Sequence, residues 1–185
     1  MANEVIADLN TRMEKTVDVL AREMAGLRTG RATPALVDHV KVDYHGVLTP
    51  LNQLASITVP EAALIVIQPW ERAICSAIEK AILKANLGLS PSNDGIVVRI
   101  PIPPLTEERR KELVKVVRKR TEEARIALRN QRRDGMERLK QAEKEKLISK
   151  DQQTRLTDQL QKLTDSFIEK VNKIDSDKEK EISEA

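Results

Sequence analysis

Between Glu4 and Arg28 the apolar residues Ile6, Leu9, Met13, Val17, Leu20, Met24 and Leu27 recur at steps of three and four, which predicts a long amphipathic helix. Gly30 follows as the expected helix stop, and Thr33-Pro34 disfavours helix just beyond it. The period then changes. Val40, Val42 and Tyr44 alternate with Lys41 and Asp43 ahead of Gly46, predicting a strand and a tight turn. Leu54 to Val59 and Leu64 to Gln68 predict two more strands, the second a nearly continuous β-branched run that suits a covered position. The helical period returns at Ile74, Ile78, Ala81 and Ile82 and ends near Asn86-Leu87-Gly88. After a loop from Ser90 to Gly95, Ile96, Val98 and Ile100 alternate as a last strand.

Pro101, Pro103 and Pro104 close that strand, and a single helical pattern then runs from Leu105 to about Lys146. Thr106 can cap its first amides, and Glu107 and Glu108 sit where the helix dipole favours anions. Its apolar seam is Leu113, Val117, Ala124, Leu128, Leu139 and Ala142, with wide gaps after Val117 and Leu128. Ser149-Lys150-Asp151-Gln152 reads as a capping box that opens a third helix, whose seam is Leu156, Leu160, Leu163, Phe167, Val171, Ile174 and Ile182. None of the three long helices can bury its stripe alone, so they are expected to pack as an antiparallel three-helix bundle.

The predicted class is therefore α+β. Residues 1–29 and 105–185 form the bundle, and residues 30–104 form an inserted β/α/β domain with Trp70 expected in its core. Two connections, near Gly30-Arg31 and Pro103-Pro104, join the domains at one corner and read as a hinge.

Composition excludes some functions. No run of eighteen apolar residues exists, so no membrane span is expected, and Met1-Ala2-Asn3-Glu4 does not open a basic-then-apolar leader. One cysteine, Cys75, rules out an internal disulfide framework, and the chain is expected in the cytoplasm. The net charge of +3 is unevenly spread. Between Leu105 and Lys140 there are 13 Lys or Arg against 7 Asp or Glu, so this helix carries +6 and the remainder −3. A positive field confined to one long helix points to a phosphate-rich partner. Only three aromatic residues, Tyr44, Trp70 and Phe167, are present, so base stacking is not the expected mode and contacts to RNA backbone are.

On a helical wheel Arg118, Arg125, Arg129 and Arg132 share a sector of roughly 60° beside the seam, with Arg133 and Lys140 farther out. Guanidinium groups grip phosphates bidentately, so such a ridge suits an RNA backbone. The plainer alternative is a solvated helix face with pairs such as Glu122 to Arg125. His39 and His45 lack metal-ligand neighbours at suitable spacing, and Cys75 reads as a core filler. No phosphate-cradling glycine loop occurs. No catalytic residue, metal site or cofactor is expected.

Taken together, Arg28-Thr29-Gly30-Arg31-Ala32-Thr33-Pro34, Tyr44-His45-Gly46 with Thr49-Pro50-Leu51, Gln53-Leu54-Ala55-Ser56 and Leu87-Gly88-Leu89 form part of a specific pattern. Pro101-Ile102-Pro103-Pro104-Leu105-Thr106-Glu107-Glu108-Arg109-Arg110 and Arg129-Asn130-Gln131-Arg132-Arg133-Asp134 complete it. Along nearly its full length the chain resembles the bacterial ribosome recycling factor family. The resemblance implies an L-shaped, non-enzymatic, monomeric translation factor. Such a factor binds the large subunit of the post-termination ribosome and, with elongation factor G and GTP, splits the subunits so that messenger and tRNA leave. It further implies ribosomal RNA contacts at Arg129, Arg132 and Arg133, and secondarily at Arg28, Arg31, Arg109, Arg110 and Arg125. The hinge role falls to Gly30, Arg31, Pro103 and Pro104.

Gly135 departs from a stiff helix at a cost of about 1 kcal/mol relative to alanine. It would either soften the rod or let RNA or a neighbouring helix come close. The rival functional class is a coiled-coil adaptor that grips proteins through its seams. A hydrolase or transferase would need a clustered site at His39, His45 or Cys75.

Overall fold

The computed structural model describes residues 2–184. In chain order the elements are α1 (Ala2–Ala25), the hairpin β1 (Lys41–Tyr44) and β2 (Val47–Pro50), the single turn α2 (Leu51–Leu54), β3 (Ala55–Glu61), β4 (Leu64–Pro69), α3 (Cys75–Lys84), β5 (Ser92–Asn93), β6 (Val98–Pro101), α4 (Glu107–Lys144) and α5 (Lys150–Glu184). They form two compact units: a helical one from the N-terminal residues to Ala25 with Lys111–Ser183, and a mixed one from Gly26 to Arg110.

In the helical unit, α4 runs antiparallel to both partners. Residues 8, 12 and 23 of α1 meet residues 138, 134 and 120 of α4, and residues 118, 125 and 132 of α4 meet 179, 175 and 161 of α5. The buried stripe of α1 is Val5, Leu9, Met13, Val17, Leu20 and Met24. Val5, not Ile6, takes the first position, because steps of four carry the stripe back from Leu9 to residue 5. The helix also ends at Ala25 and not at Arg28, one residue before Gly26. Thr106 Oγ1 accepts from Arg109 N at 3.1 Å, capping α4. At the head of α5, Gln152 N donates to Ser149 Oγ at 3.1 Å and Ser149 N donates to Gln152 Oε1 at 2.9 Å, a reciprocal box that satisfies two orphan amides.

The gaps in the α4 seam are filled by Thr121 and Gly135, both buried with Leu113, Val117, Ala124, Leu128 and Leu139. Thr121 Oγ1 donates to Val117 O at 2.9 Å, so its hydroxyl carries no desolvation penalty. Thr164 of α5 does the same to Leu160 O at 2.8 Å, and it lies deeper than the half-buried Leu163. Farther along α5, Lys178 is buried while Ile174 is only half-buried; the ammonium stays paired with Glu181 at 3.2 Å. At Gly135 a Cβ would stand 2.8 Å from Leu160 Cδ2 and 3.2 Å from Leu9 Cγ. The glycine therefore lets α1 and α5 close on α4 at one level.

The mixed unit has a four-stranded antiparallel sheet in the order β3-β4-β6-β5 beside the separate β1-β2 hairpin. His45 and Gly46, with φ +51° and +82°, make the two-residue hairpin turn, and Asp43 Oδ1 accepts from Gly46 N at 2.9 Å. β4 is an inner strand, as its β-branched run implies, with Ile65 and Ile67 fully buried. The core also takes Ile78 and Ile82 of α3, Val98 and Ile100 of β6, and Cys75, whose thiol pKa burial pushes up. Ile96 lies outside the last strand and is exposed. Trp70, expected in the core, is 70% exposed: Ile65, Ile67 and Pro69 point inward, so the strand's period of two turns residue 70 outward.

Asp94 organises the turn before β6. Its Oδ1 accepts from Ile96 N and Val97 N, both at 2.9 Å, and its Oδ2 meets Arg99 Nη1 at 2.7 Å. The Val97 amide, then Arg99, then the Ile96 amide hold its carboxyl well below the ordinary value of 3.8.

Both the glycine layer and this turn can be tested by substitution. Gly135→Ala gains about 1 kcal/mol of helix propensity but forces a methyl into a closed layer, where overpacking costs about 1–3 kcal/mol. The urea midpoint of the variant should therefore fall, and a higher midpoint would contradict the packing account. Because folding lowers the Asp94 pKa, its stabilisation is complete above pH 3.8 and disappears as pH falls through the lower folded value. Asp94→Asn should thus lower stability at pH 7 and shrink the difference from wild type below pH 3, as followed by urea titration at each pH.

Candidate functional site

The arginine-rich flank of α4 separates into two groups. Three of the four ridge residues lean onto α5. Arg118 Nε meets Glu179 at 2.6 Å, and Arg132 Nη1 donates to Gln161 Oε1 at 3.3 Å. Arg125 donates to Asn172 Oδ1 at 2.9 Å and pairs with Asp175 at 3.1 Å, the two charged side chains being only 17% and 19% exposed. It also meets Glu122 at 3.2 Å, the pair that the charge pattern suggests. The solvated-face reading therefore holds for Glu122, but the deeper role of Arg125 is to tie two helices together.

The opposite flank of α4 mirrors this against α1. Arg120 meets Glu23 at 2.9 Å, Arg138 meets Asp8 at 2.6 Å, Asp134 accepts from Arg12 at 2.7 Å, and Gln131 Nε2 donates to Thr16 Oγ1 at 2.9 Å. These ties are invisible in any one helix. Their only sequence signal is that α1 and α5 carry carboxylates beside their seams.

Arg129, Arg133 and Lys140 remain exposed. Arg129 pairs with the exposed Glu122 at 3.3 Å, and Arg133 lies one helical turn farther on the same side. Two guanidinium groups thus face solvent together, while Arg132 between them is half-buried with its Nε shielded. Such a pair can chelate phosphate oxygens without first breaking a buried contact.

The remaining candidates belong to the mixed unit. Arg28 is half-buried, with Nη1 3.5 Å from Gly88 O. Gly88 leaves the guanidinium its room, because a Cβ there would stand 3.1 Å from Arg28 Nη1. Arg31 and Arg109 are exposed, and Arg110 is half-buried. Gly30 has φ +77°, a conformation that favours glycine. Just beyond the two connecting segments, Ala32 N donates to Ala62 O and Ile102 N to Ala63 O, each at 2.7 Å. Both segments are thus pinned side by side to the β3–β4 turn, and Gly30, Arg31, Pro103 and Pro104 lie on the helix side of those pins.

Elsewhere, His39 is exposed with Nδ1 3.5 Å from Asp38, and His45 packs edge-on to Tyr44 in the hairpin turn. Tyr44 OH donates to Glu71 at 2.5 Å, and this bond raises its pKa. Among the described residues no group of three His, Cys, Asp or Glu could hold a metal ion, and no helix is long and apolar enough to cross a membrane.

Residues 20–182 match the family model described as ribosome recycling factor. The ribosome-recycling factor of Syntrophomonas wolfei is 56% identical over 184 residues, spanning 100% of both chains, and that of Shouchella clausii is 54% identical with the same coverage. A solution structure of a ribosome recycling factor superposes with a TM-score of 0.82 at 45% identity, covering 100% of this chain and 98% of the other. A Thermus thermophilus ribosome recycling factor, described together with Escherichia coli elongation factor G bound to the E. coli post-termination complex, gives 0.70 at 47% identity, covering 98% of each chain. With the family model matched over most of its length and relatives more than half identical from end to end, this chain belongs to the ribosome recycling factor family.

Proposed function

We propose that the chain binds the post-termination ribosome in the cytoplasm and, with elongation factor G and GTP, splits the subunits so that messenger and tRNA are released. The observation that carries this reading is the exposed pair Arg129 and Arg133 on a 38-residue helix that is braced on both flanks. Family membership, and a relative described with elongation factor G on a post-termination complex, supply the setting.

In this mechanism the helical unit holds large-subunit ribosomal RNA through phosphate contacts. Arg129 and Arg133 bear directly on the backbone, and Arg132, held against α5 by Gln161, flanks them on the α5 side. Arg28, Arg109 and Arg110, which lie on the α1 and α4 side of the turning point, and Arg31 at it, add to this grip. Arg125 acts through the bundle, by keeping α4 and α5 in register. At about 1.5 Å per residue, α4 is a rod of about 57 Å, and its ion-paired flanks resist bending. Elongation factor G acts on the mixed unit, which turns about Gly30, Arg31, Pro103 and Pro104 on the helix side of the Ala62–Ala63 pins. Force on that unit is then transmitted to bridges between the subunits. The chain makes and breaks no bond itself; GTP hydrolysis by its partner drives the step.

A scattering drop from post-termination ribosomes is expected only when the chain, elongation factor G and GTP are all present. Arg129→Ala/Arg133→Ala should abolish it while leaving the helical circular dichroism and thermal midpoint unchanged. Splitting by the double variant at the wild-type rate, or a drop without elongation factor G, would overturn the reading. Arg125→Ala should behave differently. It should lose on the order of 2 kcal/mol of stability, between the at most 1 kcal/mol of an exposed pair and the 3–5 kcal/mol of a fully buried one. An unchanged urea midpoint would remove Arg125 from the tie.

A further inference from the structure

Between α3 and the β1–β2 hairpin lies an open groove with a volume of about 1220 Å³. Leu48 and Leu83 line it and are 66% and 56% exposed, so two large apolar side chains share one solvent-filled depression. Along its floor α3 and the turn before it present Ala73, Ala77 and Ala81, one above another at four-residue spacing. With nothing longer than a methyl on that row, a second helix can approach to the short end of the roughly 8–10 Å interaxial range.

The rim carries a sign. Lys41, Lys80 and Lys84 are exposed along it, against one carboxylate, Asp43, which already accepts from the Gly46 amide. We propose that this groove docks an acidic amphipathic helix of a protein partner, its apolar stripe against the alanine row and between Leu48 and Leu83, its flanking carboxylates on the three lysines. The charge is complementary to such a helix, and the spacing of the floor is that of a helix groove. RNA fits the surface less well: lysines, His39 and Ser76 could meet phosphates, but no arginine lines the groove, and Leu48, Ala73, Ala77, Ala81 and Leu83 would be left without an apolar partner.

The test uses the full chain and is independent of the ribosome, so its outcome is separate from the recycling reading. Isotope-labelled protein is titrated with a designed helical peptide carrying leucine and alanine on one face and glutamate on its flanks. Two controls are the same peptide with lysine for glutamate and a short RNA duplex. The acidic peptide should shift the amides of residues 73–85 and of β1 and β2 saturably. Lys41→Glu/Lys80→Glu should weaken it at least fivefold, and Leu83→Ser at least threefold. Both variants change exposed side chains, and their amide spectra report that the fold persists. The proposal fails if the acidic peptide leaves these amides unmoved, if the basic peptide binds as tightly, or if the RNA duplex shifts this groove at equal concentration.

Discussion

The layer at Leu9, Gly135 and Leu160 is the constraint on which the bundle depends. Three helices meet there with no side chain on the middle one, and both leucines are fully buried, each worth about 1.5–3 kcal/mol of apolar transfer. A glycine in the interior of a long helix normally weakens it. Here the lower propensity is offset by a closeness of packing that a Cβ would forbid. Close packing in turn brings the flanks of α4 within salt-bridge reach of α1 and α5, so the ladder of ion pairs rests on the glycine layer.

That ladder decides which charges are left for a partner. A helix carrying six net positive charges over Leu105 to Lys140 gives Arg118, Arg120, Arg125 and Arg138 to its neighbours' carboxylates. Exposed pairs of this kind stabilise little individually, but on both flanks they fix the rotation of each helix about its axis. The guanidinium groups of Arg129 and Arg133 are consequently presented from a rigid backbone. Phosphate binding then has to order two side chains but not the backbone that carries them, which is the advantage of a bundle over an isolated basic helix.

Much of the fold was legible in the sequence, because helix and strand periods differ and each run was long enough to show its own. The capping box at Ser149 and Gln152 and the inner strand at Ile65 and Ile67 were read from a few residues. The misses share one cause, which is that burial depends on neighbours. Thr121, Thr164 and Lys178 have no place in the apolar periodicity, yet each satisfies its polar group locally and fills the seam. Trp70 read as core because it is large and apolar, whereas strand parity turned it out. In the arginine ridge the residue type was legible and its allotment was not. Whether an arginine ties helices or faces solvent depends on carboxylates dozens of residues away, as Asp175 is from Arg125.

The most direct test of this division of labour is the salt dependence of ribosome affinity. On a logarithmic plot the slope should fall by about 0.7–0.9 for each phosphate that is no longer neutralised. Arg129→Ala/Arg133→Ala should therefore flatten it by roughly 1.5 relative to wild type, whereas Arg118→Ala, which removes a tie to α5, should leave the slope in place. Equal slopes for wild type and the double variant would contradict the account, and would assign both guanidinium groups to solvent alone.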